Sequence, residues 1–234
     1  MATTTINVTA QAYDTIKDES TALTQRSTLK FTGDGVTAAD SGGETVVTIA
    51  GPAATTNVGL FAQTANSPTL TATTTEGTLI DGGVGSLSVP ANGFKVGDSF
   101  RVEMGGIMSA QNGNTLTIRL KSGSVNLGSS GPLTMPGISN QVFMLNVTFT
   151  IRAIGAAGVA SIVSLAQFHI LKLASGTQQG FAWNTINNTT FDTTISNTLN
   201  ITAQWSSNNV NNSIYSDIFV LNKNKAMAKT NRIE

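Results

Sequence analysis

His169 is the sole histidine of the chain, and an imidazole is the side chain most often used as a general base. It lies between Phe168 and Ile170 in an apolar run. No Gly-x-Ser-x-Gly elbow accompanies it, so the residues that would make a Ser-His-Asp hydrolase are not assembled. One histidine and no cysteine leave the usual zinc ligand set incomplete and rule out disulfides and thiol nucleophiles. Paired carboxylates would support glycoside hydrolysis, and the candidates are Asp81, Asp98, Glu103, Asp192 and Asp217. Several stand beside Gly or Thr in predicted turns, where an aspartate serves the backbone by hydrogen bonding. Asp34, Asp40 and Glu44 offer oxygen ligands suited to calcium, without the spacing of an EF-hand loop. Gly82-Gly83-Val84-Gly85 follows a strand but leads into another strand, and no Gly-Lys-Ser/Thr follows, so it does not read as a phosphate loop. The sequence therefore points to no catalytic residue, no cofactor and no metal.

What remains is a set of aromatic residues. Trp183, Trp205 and Tyr215 stand among Asn, Ser and Gly, and an aromatic face with a polar rim suits stacking on a sugar ring. Burial in a core is the competing account of the same residues. Sequons at Asn7, Asn146, Asn187, Asn188, Asn200 and Asn211 are what a chain rich in Asn and Thr produces by chance.

Those residues must be carried on strands. Charged residues are 11% of the 234, against about 25% in ordinary globular chains. Thr, Ser, Asn and Gly take their place. Thirteen basic residues balance thirteen acidic ones, which leaves no electrostatic footprint for nucleic acid. Depletion of charge also suits a chain that packs against copies of itself. The first ten residues show neither the basic segment nor the apolar stretch of a signal peptide, and no run reaches the length of a membrane-spanning helix. Synthesis in a cytoplasm and no membrane insertion are the expectation.

Short runs of alternating apolar residues, Thr78–Ile80, Ser86–Val89, Ser99–Met104 and Thr115–Leu120, are separated by Asp81-Gly82-Gly83, Ala91-Asn92-Gly93, Val96-Gly97-Asp98 and Asn112-Gly113-Asn114. This is the pattern of antiparallel strands joined by tight turns. Further strands are expected at 58–63, 142–154, 157–172, 180–183, 198–205 and 213–222, the second and third as a long central hairpin through Gly155-Ala156. In 213–222, period 2 puts Ile214, Ser216, Ile218 and Val220 on one face and Tyr215, Asp217, Phe219 and Leu221 on the other. Before these, residues 1–10 read as a strand, 11–28 as a weak helix or a linker, and 29–52 as a three-strand meander. The fold class is all-β: a jelly-roll or Greek-key sandwich over 56–222, preceded by an arm and small β-meander over 1–55 and followed by a tail over 223–234.

The meander carries a resemblance. Leu29, Phe31, Gly33, Gly35, Val36, Asp40, Gly43, Val47, Thr48, Ile49 and Gly51 resemble the strand–Gly–strand unit that recurs in bacteriophage head and tail fibre proteins. No Gly-X-Y run supports a triple-helical shaft. The block from TLIDGGVGSLSVPANGFKVGDSF to IYSDIFVLN resembles the C-terminal jelly-roll, tumour-necrosis-factor-like domains of virion surface proteins in phages and large DNA viruses. The resemblance implies a non-enzymatic structural protein on the virion surface, as a fibre, spike or decoration protein. It implies a homotrimer, attachment to capsid or tail proteins through residues 1–55, and contact with a host glycan. The alternatives are a stand-alone carbohydrate-binding module, which needs an exposed Trp183 or Trp205, and a polysaccharide-degrading spike, which needs facing carboxylates such as Asp192 and Asp217.

Overall fold

The computed structural model of the chain describes residues 17–18, 21–22, 36–41, 44–49, 57–172 and 176–224. The chain divides into two units, Met1–Ala53 and Ala54–Glu234. In the first, β1 (Lys17–Asp18) pairs antiparallel with β2 (Thr21–Ala22), so the described part of 11–28 is a short ribbon, not a helix. β3 (Val36–Ser41) pairs with β4 (Glu44–Ile49) from Val36↔Ile49 to Ser41↔Glu44, around the turn that Asp40-Ser41-Gly42-Gly43 predicts. The strands expected at 1–10 and at Leu29–Phe31 lie outside the described residues, as do Asp34 and residues 225–234.

The second unit is all-β, two antiparallel sheets packed as a sandwich. Its strands are β5 (Asn57–Gln63), β6 (Leu70–Thr71), β7 (Gly77–Thr78), β8 (Gly83–Gly85), β9 (Ser88–Val89), β10 (Ser99–Ala110), β11 (Thr115–Ser122), β12 (Val125–Ser129), β13 (Leu133–Thr134), β14 (Ile138–Ala153), β15 (Ser161–Leu171), β16 (Gln178–Asn187), β17 (Asn197–Trp205) and β18 (Ser213–Asn224). The large sheet runs β16-β15-β14-β10-β18-β5-β8, with β6 on β18. The small sheet runs β12-β11-β17-β7, with β13 on β11 and β9 on β17.

Period-2 burial explains why these segments are strands. In β14, Phe143, Leu145, Val147, Phe149 and Ile151 are buried while the residues between them are not. In β15 the buried set is Ile162, Ser164, Ala166, Phe168 and Ile170. β11 and β17 answer from the small sheet with Leu116, Ile118, Leu120, Ile201, Ala203 and Trp205. Burying one aliphatic side chain is worth roughly 1.5–3 kcal/mol, so a strand with four or five inward apolar residues is held firmly in register. The β14–β15 hairpin is present as expected, from Phe143↔Ile170 to Ile151↔Ile162.

Two sequence expectations are corrected. Asn112-Gly113-Asn114 does form a tight turn: Gly113 has φ +84° and the Asn114 N–H donates to the Gln111 carbonyl at 3.1 Å. It does not make a hairpin, because β10 belongs to the large sheet and β11 to the small one. Turn chemistry fixes a reversal of the chain but not which edge the next strand joins. The second correction is in β18. Its register against β10 steps from Gly105↔Ile218 to Gly106↔Ser216, leaving Asp217 unpaired as a bulge. An extra residue inverts the alternation beyond it. Ile214, Ser216, Phe219 and Leu221 point inward, and Ile218 and Val220 lie on the other side with Tyr215. The same strand continues to Asn224, past the expected start of the tail at 223.

Candidate functional site

The outward residues of the large sheet form a grid, since strands about 4.8 Å apart bring side chains of one parity into rows across the sheet. One row reads Gly180, His169, Met144, Gly105, Ile218 across β16, β15, β14, β10 and β18. Beside it stand Val142, Ile107 and Tyr215, with Leu171 at the end of β15. The row on the other side is Ala182, Gln167, Asn146, Glu103 and Val220. Beyond that come Asn184, Leu165, Thr148, Arg101 and Asn222, and then Ile186, Val163, Thr150, Ser99 and Asn224.

Two properties distinguish this face. Val142, Met144, Leu165, Ile186 and Ile218 are between 50% and 58% exposed, in two groups (Val142, Met144 and Ile218; Leu165 and Ile186) where single scattered apolar residues would be ordinary. Charge among the five rows is limited to Arg101 and Glu103, which pair with each other at 3.1 Å, and the exposed bulge carboxylate Asp217 stands beside Ile218 at the β18 edge. The first row is also low in relief. A Cβ on Gly180 would stand 2.9 Å from His169 Cδ2, and one on Gly105 would stand 3.3 Å from Ile218 Cγ2. The imidazole and the isoleucine therefore lie down over the neighbouring strands. Five rows about 6.8 Å apart on five strands span roughly 800 Å², the area each partner gives to a specific interface.

The three aromatic candidates are not brought together. Trp205 is 1% exposed on β17, and its Nε1–H donates to the Leu70 carbonyl at 3.3 Å. An indole so enclosed has no face to offer a sugar. Trp183 is on the inward side of β16, partly buried against the core. Tyr215 alone is on the outer face, beside Ile107.

Four of the five candidate carboxylates are engaged locally. Asp98 holds Lys223 at 2.7 Å, and Glu103 holds Arg101. Asp81 Oδ1 accepts from the Gly82 N–H at 2.7 Å. Asp192 accepts from the Thr194 hydroxyl (2.6 Å) and N–H (2.8 Å), bonds that lower its pKa. Asp217 is the bulge residue. Asp40 and Glu44 lie in β3 and β4, with side chains outside the described residues. Among the described residues no three His, Asp or Glu side chains gather where a metal ion could be held, and no helix is long and apolar enough to cross a membrane.

Sequence reasoning did not single out Ile107, Val142, Met144, His169 or Ile218 as a surface. The available signal was β14, where Val142 and Met144 make the supposed solvent side apolar as well. Compared with protein-family models and with curated proteins, the chain matches none.

Proposed function

We propose that this chain is a non-enzymatic structural protein of a virion surface, a fibre, spike or decoration protein, whose sandwich binds copies of itself through the outer face of the large sheet. The observation that carries the reading is that face: apolar and flat around Met144 and Ile218, with one self-neutralised ion pair and a single further carboxylate, Asp217, at its β18 edge. A flat sheet face of interface size with exposed apolar residues, on a charge-poor chain, favours self-association. A homotrimer is the proposed closure. Val142, Met144, Ile107 and Ile218 lie toward one end of the face, so three copies around an axis through that end would bury this group on each. The sequence resemblance to jelly-roll virion domains and the meander's likeness to phage fibre units support the virion setting, with residues 1–55 as the attachment to capsid or tail proteins.

The test is the solution mass of the purified chain by light scattering, alongside Met144→Lys and Ile218→Lys. A trimer that both substitutions convert to folded monomers, with unchanged far-ultraviolet circular dichroism, is the expected result. A wild-type chain that stays monomeric at high micromolar concentration sinks the reading.

A further inference from the structure

Between the two sheets, the apolar side chains stop short of filling the space. A pocket of about 200 Å³ remains, walled by Phe94, Phe100, Phe149, Phe191, Leu127 and Leu199 and open to solvent beside the exposed Ser86, Ser88 and Pro90. The rings support one another: Phe100 stacks on Phe149 at 4.9 Å, and Phe94 meets Phe100 and Phe191 edge-on at 6.0 and 5.7 Å. Residues 86–90 complete the wall with little secondary structure of their own. The Ser86 N–H donates to the Leu60 carbonyl at 2.8 Å, and the Leu199 N–H donates to the Leu87 carbonyl at 2.9 Å. The Ser88 and Thr198 hydroxyls meet at 2.7 Å.

The polar groups in the lining are already satisfied. Lys223 is paired with Asp98 at 2.7 Å, and Lys121 with Glu76 at 3.0 Å. The Ser122 hydroxyl donates to Asn197 Oδ1 at 2.9 Å. Asn197 Nδ2 donates to the Asp192 and Ile195 carbonyls at 2.8 and 3.0 Å. A guest therefore finds apolar walls and no unmatched charge or donor. Interiors are otherwise close-packed, and a dry apolar cavity of about 150 Å³ is enough to admit benzene or xenon.

We propose that this cavity is a binding site for a small neutral apolar molecule, an aromatic ring or a compact alkyl group of similar size. A charged or strongly polar ligand is disfavoured, because it would lose hydration and gain no partner. The space inside takes a ring or a short alkyl group, and the rest of a longer acyl chain would stay in water. The site is separate from the outer face and independent of the self-association reading.

The experiment uses the full chain with benzene as probe. Melting temperature is followed against benzene concentration, and carbon–proton spectra record the methyl groups of Leu127 and Leu199. The expected result is a saturable rise, on the order of 3 °C at tenfold excess over Kd, with both leucines shifting along the same isotherm. Leu199→Phe and Val89→Phe, which fill the space from two sides, should abolish both effects; Ile186→Ser, on the outer face, should leave them intact. Unmoved leucine methyls in the wild-type chain overturn the proposal, whether or not the filled variants fold. So does a response that persists undiminished in a folded filled variant.

Discussion

Gly106 stands where β10 meets the bulge of β18. A Cβ there would overlap the Tyr215 carbonyl oxygen and press on Ser216 Cα, both backbone atoms with nowhere to go. Gly106→Ala should lose about 1–3 kcal/mol, the usual cost of overpacking, read as a lower denaturant midpoint. Trp205 makes the opposite case. It fills the core and binds the Leu70 carbonyl, so Trp205→Ala should cost about 3–5 kcal/mol. Trp183→Ala, at a partly buried edge, should cost visibly less. If the two losses are equal, the burial difference does not set their energetics. Single residues were the least legible level of the sequence. Tyr215, Phe219 and Leu221 share one face by simple alternation, yet Tyr215 is outward and the other two are core, because one inserted residue at Asp217 reverses the sides of β18 beyond it.

On the small sheet, Glu76 reaches across β17 to β11 from its place just before β7. Its carboxylate accepts from the Thr202 hydroxyl at 2.5 Å, pairs with Lys121 Nζ at 3.0 Å and meets Arg119 Nη1 at 3.4 Å. Nη1 is buried and makes no hydrogen bond, so this ion pair is its compensation. Burial pushes the Glu76 carboxyl up, but the Thr202 and Lys121 hydrogen bonds and the two cations outweigh it and hold its pKa below the ordinary 4.5. A depressed folded value means that the stabilisation is complete above the unfolded pKa and disappears as pH falls through the folded one. Glu76→Gln should cost about 1–3 kcal/mol at neutral pH. It should also flatten the loss of stability below about pH 4.5, measured by denaturation across pH 2–7. An acid limb as steep as the wild type's would show that Glu76 is not its source. Elements were more legible than residues. β14 and β15 declared themselves through long alternation and Gly155, whereas β12 and β13 were too short and Gly/Ser-rich to show a period. The β10–β11 turn had hairpin chemistry but served a passage between sheets, a choice made by packing.

At the scale of the molecule, all-β architecture followed from composition and from the spacing of turns, while the outer face required strands distant in sequence to be set side by side. Association through that face should depend little on salt, because apolar burial is not screened and the Arg101–Glu103 pair is internal to each copy. The light-scattering mass should hold from about 0.05 to 0.5 M sodium chloride; dissociation with added salt would point to an electrostatic interface elsewhere. The position of β18 has a consequence for how the protein is made. The last described strand in chain order stands between β10 and β5, so a nascent chain cannot close its large sheet until translation has passed Asn224. Until then two strands wait with bare edges, the condition in which β chains join the wrong neighbour. Copies emerging from adjacent ribosomes would be the nearest neighbours available. Slow synthesis between β16 and β18 would therefore cost yield, and a chain cut short before β18 would be matter for proteolysis, not a smaller version of the fold.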